Sequence, residues 1–202
     1  LTTAEQRAQL LLDLGVDYVV THPFNEAVRH IRAADFVDQL IAHLKIAELW
    51  VGEDFALGYK REGNVDFLRQ QGQAKGFAVH SVDLVQSEAT GMVISSTLIR
   101  KALAEGKVEQ VRRWLGRSYA VSGEVTLGKQ RGRQLGDPTA NIALWEQQVI
   151  PMNGVYACWA YLGEERFMAM TNVGISPTFM NTGITVEPYL LDFDRDIYGQ
   201  TL

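Results

Sequence analysis

Residues 1–116 of this chain alternate helical periodicity with short apolar strands, whereas residues 117–202 carry almost no helical periodicity and set β-branched and aromatic residues between Gly and Pro turns. That change of pattern constrains the fold more than any other feature. It predicts two domains, 1–116 and 117–202, and a chain of 202 residues is long enough to give each a core.

In the first part, Thr2-x-x-Glu5 reads as a capping box ahead of a helix with Ala8, Leu11, Leu12 and Leu14 toward one side, ended by Gly15. A strand is expected at 17–20, a helix from about Ala34 to Leu44 burying Phe36, Val37, Leu40, Ile41 and Leu44, and a strand from Ile46 to Val51. Asn64 or Asp66 opens a third helix, Phe77 to Val85 reads as a third strand, and Ser95 starts a helix that ends near Gly106. This β-α-β rhythm predicts a Rossmann-like parallel sheet wrapped by helices.

Two places in this part carry candidate chemistry. The loop Val51–Gly63 begins where a strand ends, and open α/β sheets bind ligands at the carboxyl ends of their strands, which singles out Gly52 and Asp54; an ordinary charged loop has the same composition. Ser95, Ser96 and Thr97 crowd a helix N-terminus, where free N–H groups and the helix dipole favour phosphate, with Arg100 one turn on. Plain N-capping by Ser95 or Ser96 is the alternative. His22, before Pro23, is left without a role.

In the second part, strands are expected at Tyr119–Leu127, Gly154–Leu162, Phe167–Val173 and Thr185–Phe193, with Gly163 and Glu164 as a turn. Short strands with no helix between them predict a small antiparallel β-barrel. Its most distinctive segment is GKQRGRQLGDPTAN, Gly128 to Asn141. Gly128, Gly132 and Gly136 let the backbone turn sharply and present N–H groups to an anion, while Lys129, Arg131 and Arg133 supply positive charge. The common P-loop needs Lys and then Ser/Thr after its last Gly, and here Arg133 and Gln134 follow Gly132. After Pro138, Thr139 offers a hydroxyl and Asn141 an amide oxygen. Two such hard donors suffice for magnesium, which keeps waters and phosphate oxygens for its other positions; a turn after Pro is the other use of these residues. Glu187 is the best-placed acid for accepting a proton from an alcohol, and strand alternation sets it on the face opposite Val186, lining a cavity or facing water.

With 19 basic and 24 acidic residues and a formal net charge of −5, the chain has no general surface for nucleic acid or anionic membrane. The single Cys158, in an apolar run, reads as a buried thiol in a reducing cytoplasm, with no catalytic role. No apolar run approaches the length of a membrane span. The partners expected are small molecules; the composition does not address oligomeric state.

Taken together, VGEDFALGYKREG, ISSTLIRKALAEGKVEQVRRWLGRSYAVSGEV, GKQRGRQLGDPTAN, PMNGVYACWAY, TNVGISPTF and TVEPYLLDFDRDIYG closely resemble the bacterial bifunctional riboflavin kinase/FMN adenylyltransferases, or FAD synthetases. The resemblance implies that the first domain is a nucleotidyltransferase fold transferring AMP from ATP to FMN, and the second a six-stranded riboflavin kinase barrel that makes FMN. By the same motifs, Gly52 and Asp54 would line the nucleotide or flavin pocket, and Ser95, Ser96, Thr97 and Arg100 would hold phosphates. Gly128, Lys129, Gly132, Arg133 and Gly136 would cover ATP, Thr139 and Asn141 would bind Mg2+ and ATP, and Glu187 would activate the ribityl 5′-hydroxyl.

The chain departs from the family's pattern in three ways. The family's HxGH motif, which grips the ATP phosphates, does not occur, so residues 1–202 alone are expected not to make FAD. The chain opens at Leu1 without Met and stops at Leu202, and reads as a piece cut at both ends, lacking the kinase's closing strand and C-terminal helix. Asp137 replaces an apolar or aromatic residue, and Pro188 and Tyr189 follow Glu187 where the family has an apolar residue and His. Pro188 is expected to be tolerated at a strand edge and not inside a sheet. Two other functions fit the same residues: a non-catalytic protein that binds flavin nucleotides, and a kinase whose first domain is a scaffold.

Overall fold

The computed structural model describes residues 1–127, 139–178 and 181–202. The chain divides into two compact units, one of Ala8–Ile94 and one of Ser95–Leu202 together with Leu1–Arg7. Helix α1 (Ala4–Asp13) crosses between them in sequence. Its capping box lies one residue beyond the expected one: the Gln6 N–H donates to Thr3 Oγ1 (3.1 Å) and the Thr3 N–H to Gln6 Oε1 (3.0 Å). Gln serves at this position as Glu does.

In Ala8–Ile94, the single turn α2 (Glu26–Arg29) precedes α3 (Ala33–Leu44). Arg32, before α3, provides no side-chain cap; the Glu62 carboxylate does so instead, accepting from the Ala33 N–H at 2.8 Å while Arg32 Nε donates to it at 2.7 Å. Strand β1 (Glu48–Gly52) is followed by the two-residue strands β2 (Ala56–Leu57) and β3 (Gly63–Asn64), which pair antiparallel. Helix α4 (Val65–Lys75) then crosses to β4 (Ala78–Val82), which lies parallel to β1 from Glu48 opposite Ala78 to Gly52 opposite Val82. Asn64, of the two residues proposed, caps α4 by accepting from the Phe67 N–H. Val37 of α3, Val51 of β1, Val65 and Leu68 of α4, and Phe77 form the core. Helix α4 lies close on the next strand because position 72 has no side chain; a Cβ there would stand 2.5 Å from the Phe77 carbonyl oxygen.

Two expectations for this unit are corrected. Residues 17–20 form no strand, and Tyr18 and Val20 are strongly exposed; β propensity makes a strand only where a neighbour completes the ladder, and none pairs here. Leu44, assigned to the buried face of α3, is also exposed.

In the other unit, Ser95 caps α5 (Ser96–Ala104), and α6 (Val108–Leu115) follows with Val111 fully buried. The Met152 N–H donates to the Leu103 carbonyl, so the end of α5 is tied to the segment that enters the strands. Strand β5 (Glu124–Thr126) pairs antiparallel with β6 (Asn141–Ala143), and β7 (Gly154–Leu162), β8 (Glu165–Thr178) and β9 (Asn181–Leu190) form an antiparallel sheet in that order. Gly163 opens the β7–β8 turn with φ +61°, the left-handed conformation such turns require. Gly123 and Leu202 exchange two backbone hydrogen bonds on the free side of β5. Val125, Leu162 and Ile197 share the neighbours Phe167, Phe193 and Leu202 with Ala160, Ala169 and Leu190, so one apolar layer lies under all these strands.

The strands are antiparallel as expected, but among the described residues they form separate ladders and no closed barrel. The expected strand at Tyr119–Leu127 shrinks to the three residues of β5, and the Tyr119 hydroxyl donates to the Val149 carbonyl at 2.6 Å. The last strand starts earlier and ends at Leu190, before Asp192 at φ 54°. Cys158, read as buried, is exposed, with its sulfur 3.0 Å from Thr171 Oγ1.

Candidate active site

The second unit assembles its candidate residues through strand pairing. A strand residue's N–H and C=O point to the same side, and in an antiparallel pair opposed residues alternate between those that exchange both hydrogen bonds and those that exchange neither. The Pro188 carbonyl accepts from the Ala140 N–H at 2.9 Å, so the backbone edge of Pro188 faces the β6 side. Its missing N–H therefore removes nothing from the β8–β9 ladder, where it stands opposite Thr171. Strand β9 is the edge of its three-stranded sheet, so the proline sits where it was expected to be tolerated.

The same bond brings Thr139 and Asn141, on either side of Ala140, beside the strand that carries Glu187. Asn141 pairs with Thr126 of β5, whose hydroxyl donates to the Asn141 carbonyl at 3.4 Å. Ala140 and Ile142 pack on the apolar layer, and Asn141 alternates to the other face. Val186, Pro188 and Leu190 are buried, and the half-buried Glu187 lies on the opposite face.

The register also identifies a residue that the sequence reading passed over. Asn172 of β8 lies directly opposite Glu187. Pro188 faces away from β8 and the Leu191 N–H donates to the Met168 carbonyl, so counting along the ladder makes Asn172 and Glu187 a pair that exchanges both backbone bonds. Their Cα atoms then stand about 5.5 Å apart with side chains on one face. Asn172 lies within the TNVGISPTF segment, but only the register reveals that it faces Glu187. Along the same face, Met168, Met170, Trp159 and Tyr161 are exposed, and the Arg166 guanidinium stacks 4.3 Å over Trp159. Gly128, Lys129, Gly132, Arg133 and Gly136 lie outside the described residues.

In Ala8–Ile94, Gly52 is the last residue of β1 and Asp54 stands in the turn after it, at the carboxyl end of the parallel pair. The turn is pinned by the Glu53 N–H to the Val82 carbonyl and by an Arg61 guanidinium N–H to the Asp54 carbonyl at 2.8 Å. The Asp54 carboxylate folds back over Gly52, where a Cβ would lie 3.3 Å from Oδ1. The sequence reading also passed over the stack of Trp50 on His80, with centroids 4.2 Å apart on the paired strands and the Trp50 indole N–H donating to Glu48.

Ser95, Ser96, Thr97 and Arg100 are exposed at the start of α5, in the other unit. The Ser95 hydroxyl accepts from the Leu98 N–H at 3.2 Å, which is ordinary capping. His22 Nδ1 lies 3.0 Å from the carbonyl of the adjacent Pro23, a local contact only.

Among the described residues no group of three or more His, Cys, Asp or Glu side chains is placed to hold a metal ion. No described helix is long and apolar enough to cross a membrane.

Comparison with known proteins follows the two parts of the chain. Residues 1–98 match the family model described as FAD synthetase, and residues 115–202 the one described as riboflavin kinase. The chain is 38% identical over 190 residues to the bifunctional riboflavin kinase/FMN adenylyltransferase of Pseudomonas fluorescens, covering 93% of this chain and 60% of that protein. It is 37% identical over 202 residues to the protein of the same name from Escherichia coli K12, covering 99% of this chain and 64% of that one. The chain thus spans about three fifths of the length of these relatives. A crystal structure titled as a macrolide-efflux protein of Streptococcus pneumoniae superposes with a TM-score of 0.85 at 29% identity, covering 98% of this chain and 64% of that one.

Proposed function

The chain belongs to the bifunctional riboflavin kinase/FMN adenylyltransferase family, and from that premise we propose that the protein phosphorylates riboflavin to FMN and adenylylates FMN to FAD, using ATP for both steps. Residues 1–116 serve the adenylyl transfer and residues 117–202, closing as a barrel, serve the kinase. The protein works in the cytoplasm on small molecules, with neither nucleic acid nor membrane as partner.

The observation that carries the kinase reading is the backbone bond from Ala140 to Pro188, which gathers two neutral oxygen donors and a carboxylate at one strand boundary. Phosphoryl transfer asks little covalent chemistry of a protein; it needs the phosphates positioned, their charge balanced and the attacking hydroxyl relieved of its proton. Glu187 takes the proton of the ribityl 5′-hydroxyl as that oxygen attacks the γ-phosphorus and the bond to the β-phosphate oxygen breaks. Thr139 and Asn141 would hold a magnesium ion through their side-chain oxygens. When bound, the ion neutralises charge on the transferring group. Lys129, Arg133 and the glycines Gly128, Gly132 and Gly136 cover the triphosphate.

For adenylyl transfer, Gly52 and Asp54 line the nucleotide or flavin pocket, and Ser96, Thr97 and Arg100 bind phosphate beside the cap made by Ser95.

Incubating the full-length protein with riboflavin and Mg-ATP, and separating the flavins by chromatography, tests the kinase reading. FMN is the expected product. Binding of both substrates without FMN would overturn it.

A further inference from the structure

Asn172 is a residue whose presence the fold does not explain. Asn is depleted in strands, yet this one sits in β8, the central strand of the three-stranded sheet. Its side chain is exposed and packs on no core, whereas the next residue, Val173, supplies the buried contact. A Cβ at Gly174 would lie 3.6 Å from the Asn172 amide nitrogen and near no other side chain, so that neighbour on the same face leaves the amide room to move. Across the ladder its direct partner is Glu187.

We propose that Asn172 is a positioning residue that holds the Glu187 carboxylate for the phosphorylation reaction. The inference rests on reading Glu187 as the base. An Asn amide carries two N–H donors, and at the separation of paired residues one can reach a carboxylate oxygen on the facing strand. Fixing one oxygen in this way aims the lone pairs of the other at the alcohol, and a hydrogen bond to a charged acceptor is among the stronger ones. Because a positioning residue acts through Glu187, the effect is expected in turnover and not in the binding of ATP or flavin.

The test is steady-state kinetics on the full-length protein with Asn172→Ala, Asn172→Asp, Glu187→Gln and the Asn172→Ala/Glu187→Gln double variant. Asn172→Ala should lower kcat about 10- to 100-fold, the size of one lost hydrogen bond to a charged group, and leave KM for riboflavin and ATP within about twofold. Asn172→Asp keeps the shape but turns a donor into a like charge opposite Glu187, and should be worse than Ala. If Asn172→Asp does not fold, Asn172→Ser, which retains a donor, should keep more kcat than Asn172→Ala. In the Glu187→Gln background, Asn172→Ala should change kcat little further, because the group it acts through is gone.

The proposal falls if Asn172→Asp works better than Asn172→Ala, if Asn172→Ser is no better than Asn172→Ala, or if the loss from Asn172→Ala is as large without Glu187 as with it. Full activity of Glu187→Gln would instead remove the base reading, and this inference with it.

Discussion

The two units place their candidate residues by different means. In Ala8–Ile94, Gly52 ends a strand of a parallel pair and Asp54 stands in the turn after it, so residues adjacent in sequence are also adjacent in space. In the other unit, Thr139 and Asn141 at the start of β6, Asn172 of β8 and Glu187 of β9 meet only through antiparallel register and one hydrogen bond. A loop site survives changes in strand pairing better than a register site does, because a one-residue slip turns every side chain of the strand to the other face.

The sharpest way to break the comparison is at Glu187. Glu187→Gln should lower the kcat of FMN formation about 10²- to 10⁴-fold with ATP affinity near normal, as for loss of a general base. A proportionate rise in KM for ATP, with kcat preserved, would make Glu187 a binding residue.

Next in size are two glycines, one in each unit. At Gly123 a Cβ would lie 2.0 Å from the Ala143 carbonyl oxygen, and at Gly72 it would lie 2.5 Å from that of Phe77. Both contacts are with backbone, so each Gly→Ala change should destabilise by roughly 1–3 kcal/mol, read by denaturant unfolding. Gly123→Ala disturbs β5 against β6 and should also raise KM for ATP, while Gly72→Ala should leave the kinase constants alone. Equal effects of the two on KM would dissolve the distinction between register and loop sites.

Thr139→Ala should weaken Mg-ATP binding by about tenfold, the worth of one hydrogen bond or ligand. A magnesium dependence unchanged from wild type would remove Thr139 from the metal site.

The smallest effect is expected at Glu62, whose carboxyl is held below its ordinary range first by the hydrogen bond from Arg32 and then by the Ala33 N–H. A carboxyl depressed on folding stabilises fully above its unfolded pKa, and that contribution fades as pH falls through the lower folded value. Glu62→Gln should therefore lower the stability of the unit near neutrality, and the gap from wild type should narrow on acidification below the ordinary carboxylate range. A gap that widens in acid would contradict the capping role.

Legibility in the sequence followed the range of the interactions. Helix caps at Asn64 and Ser95, the β7–β8 turn at Gly163 and the apolar face around Val37 depend on near neighbours, and all were readable. Helix α6 was not called from its own pattern, although Val108, Val111 and Leu115 share one face. The expected strand at 17–20 had suitable residues and no partner to pair with. Thr139, Asn141 and Glu187 could be named from chemistry, but their approach through Ala140 and Pro188 could not, because pairing between distant segments leaves no local mark. The pairing of Asn172 with Glu187 was invisible for the same reason, while Pro188 lies, as expected for a tolerated proline, in the edge strand β9 with its backbone edge facing away from β8.

The central claim, that Glu187 works as the base of a riboflavin kinase, is tested most directly by single-turnover measurement of FMN formation with saturating riboflavin and Mg-ATP, comparing the full-length protein with its Glu187→Gln variant. The account predicts rapid FMN formation by the first, and by the second a rate lower by about 10²-fold or more with ATP still bound. Equal rates, or no FMN from either, would contradict it.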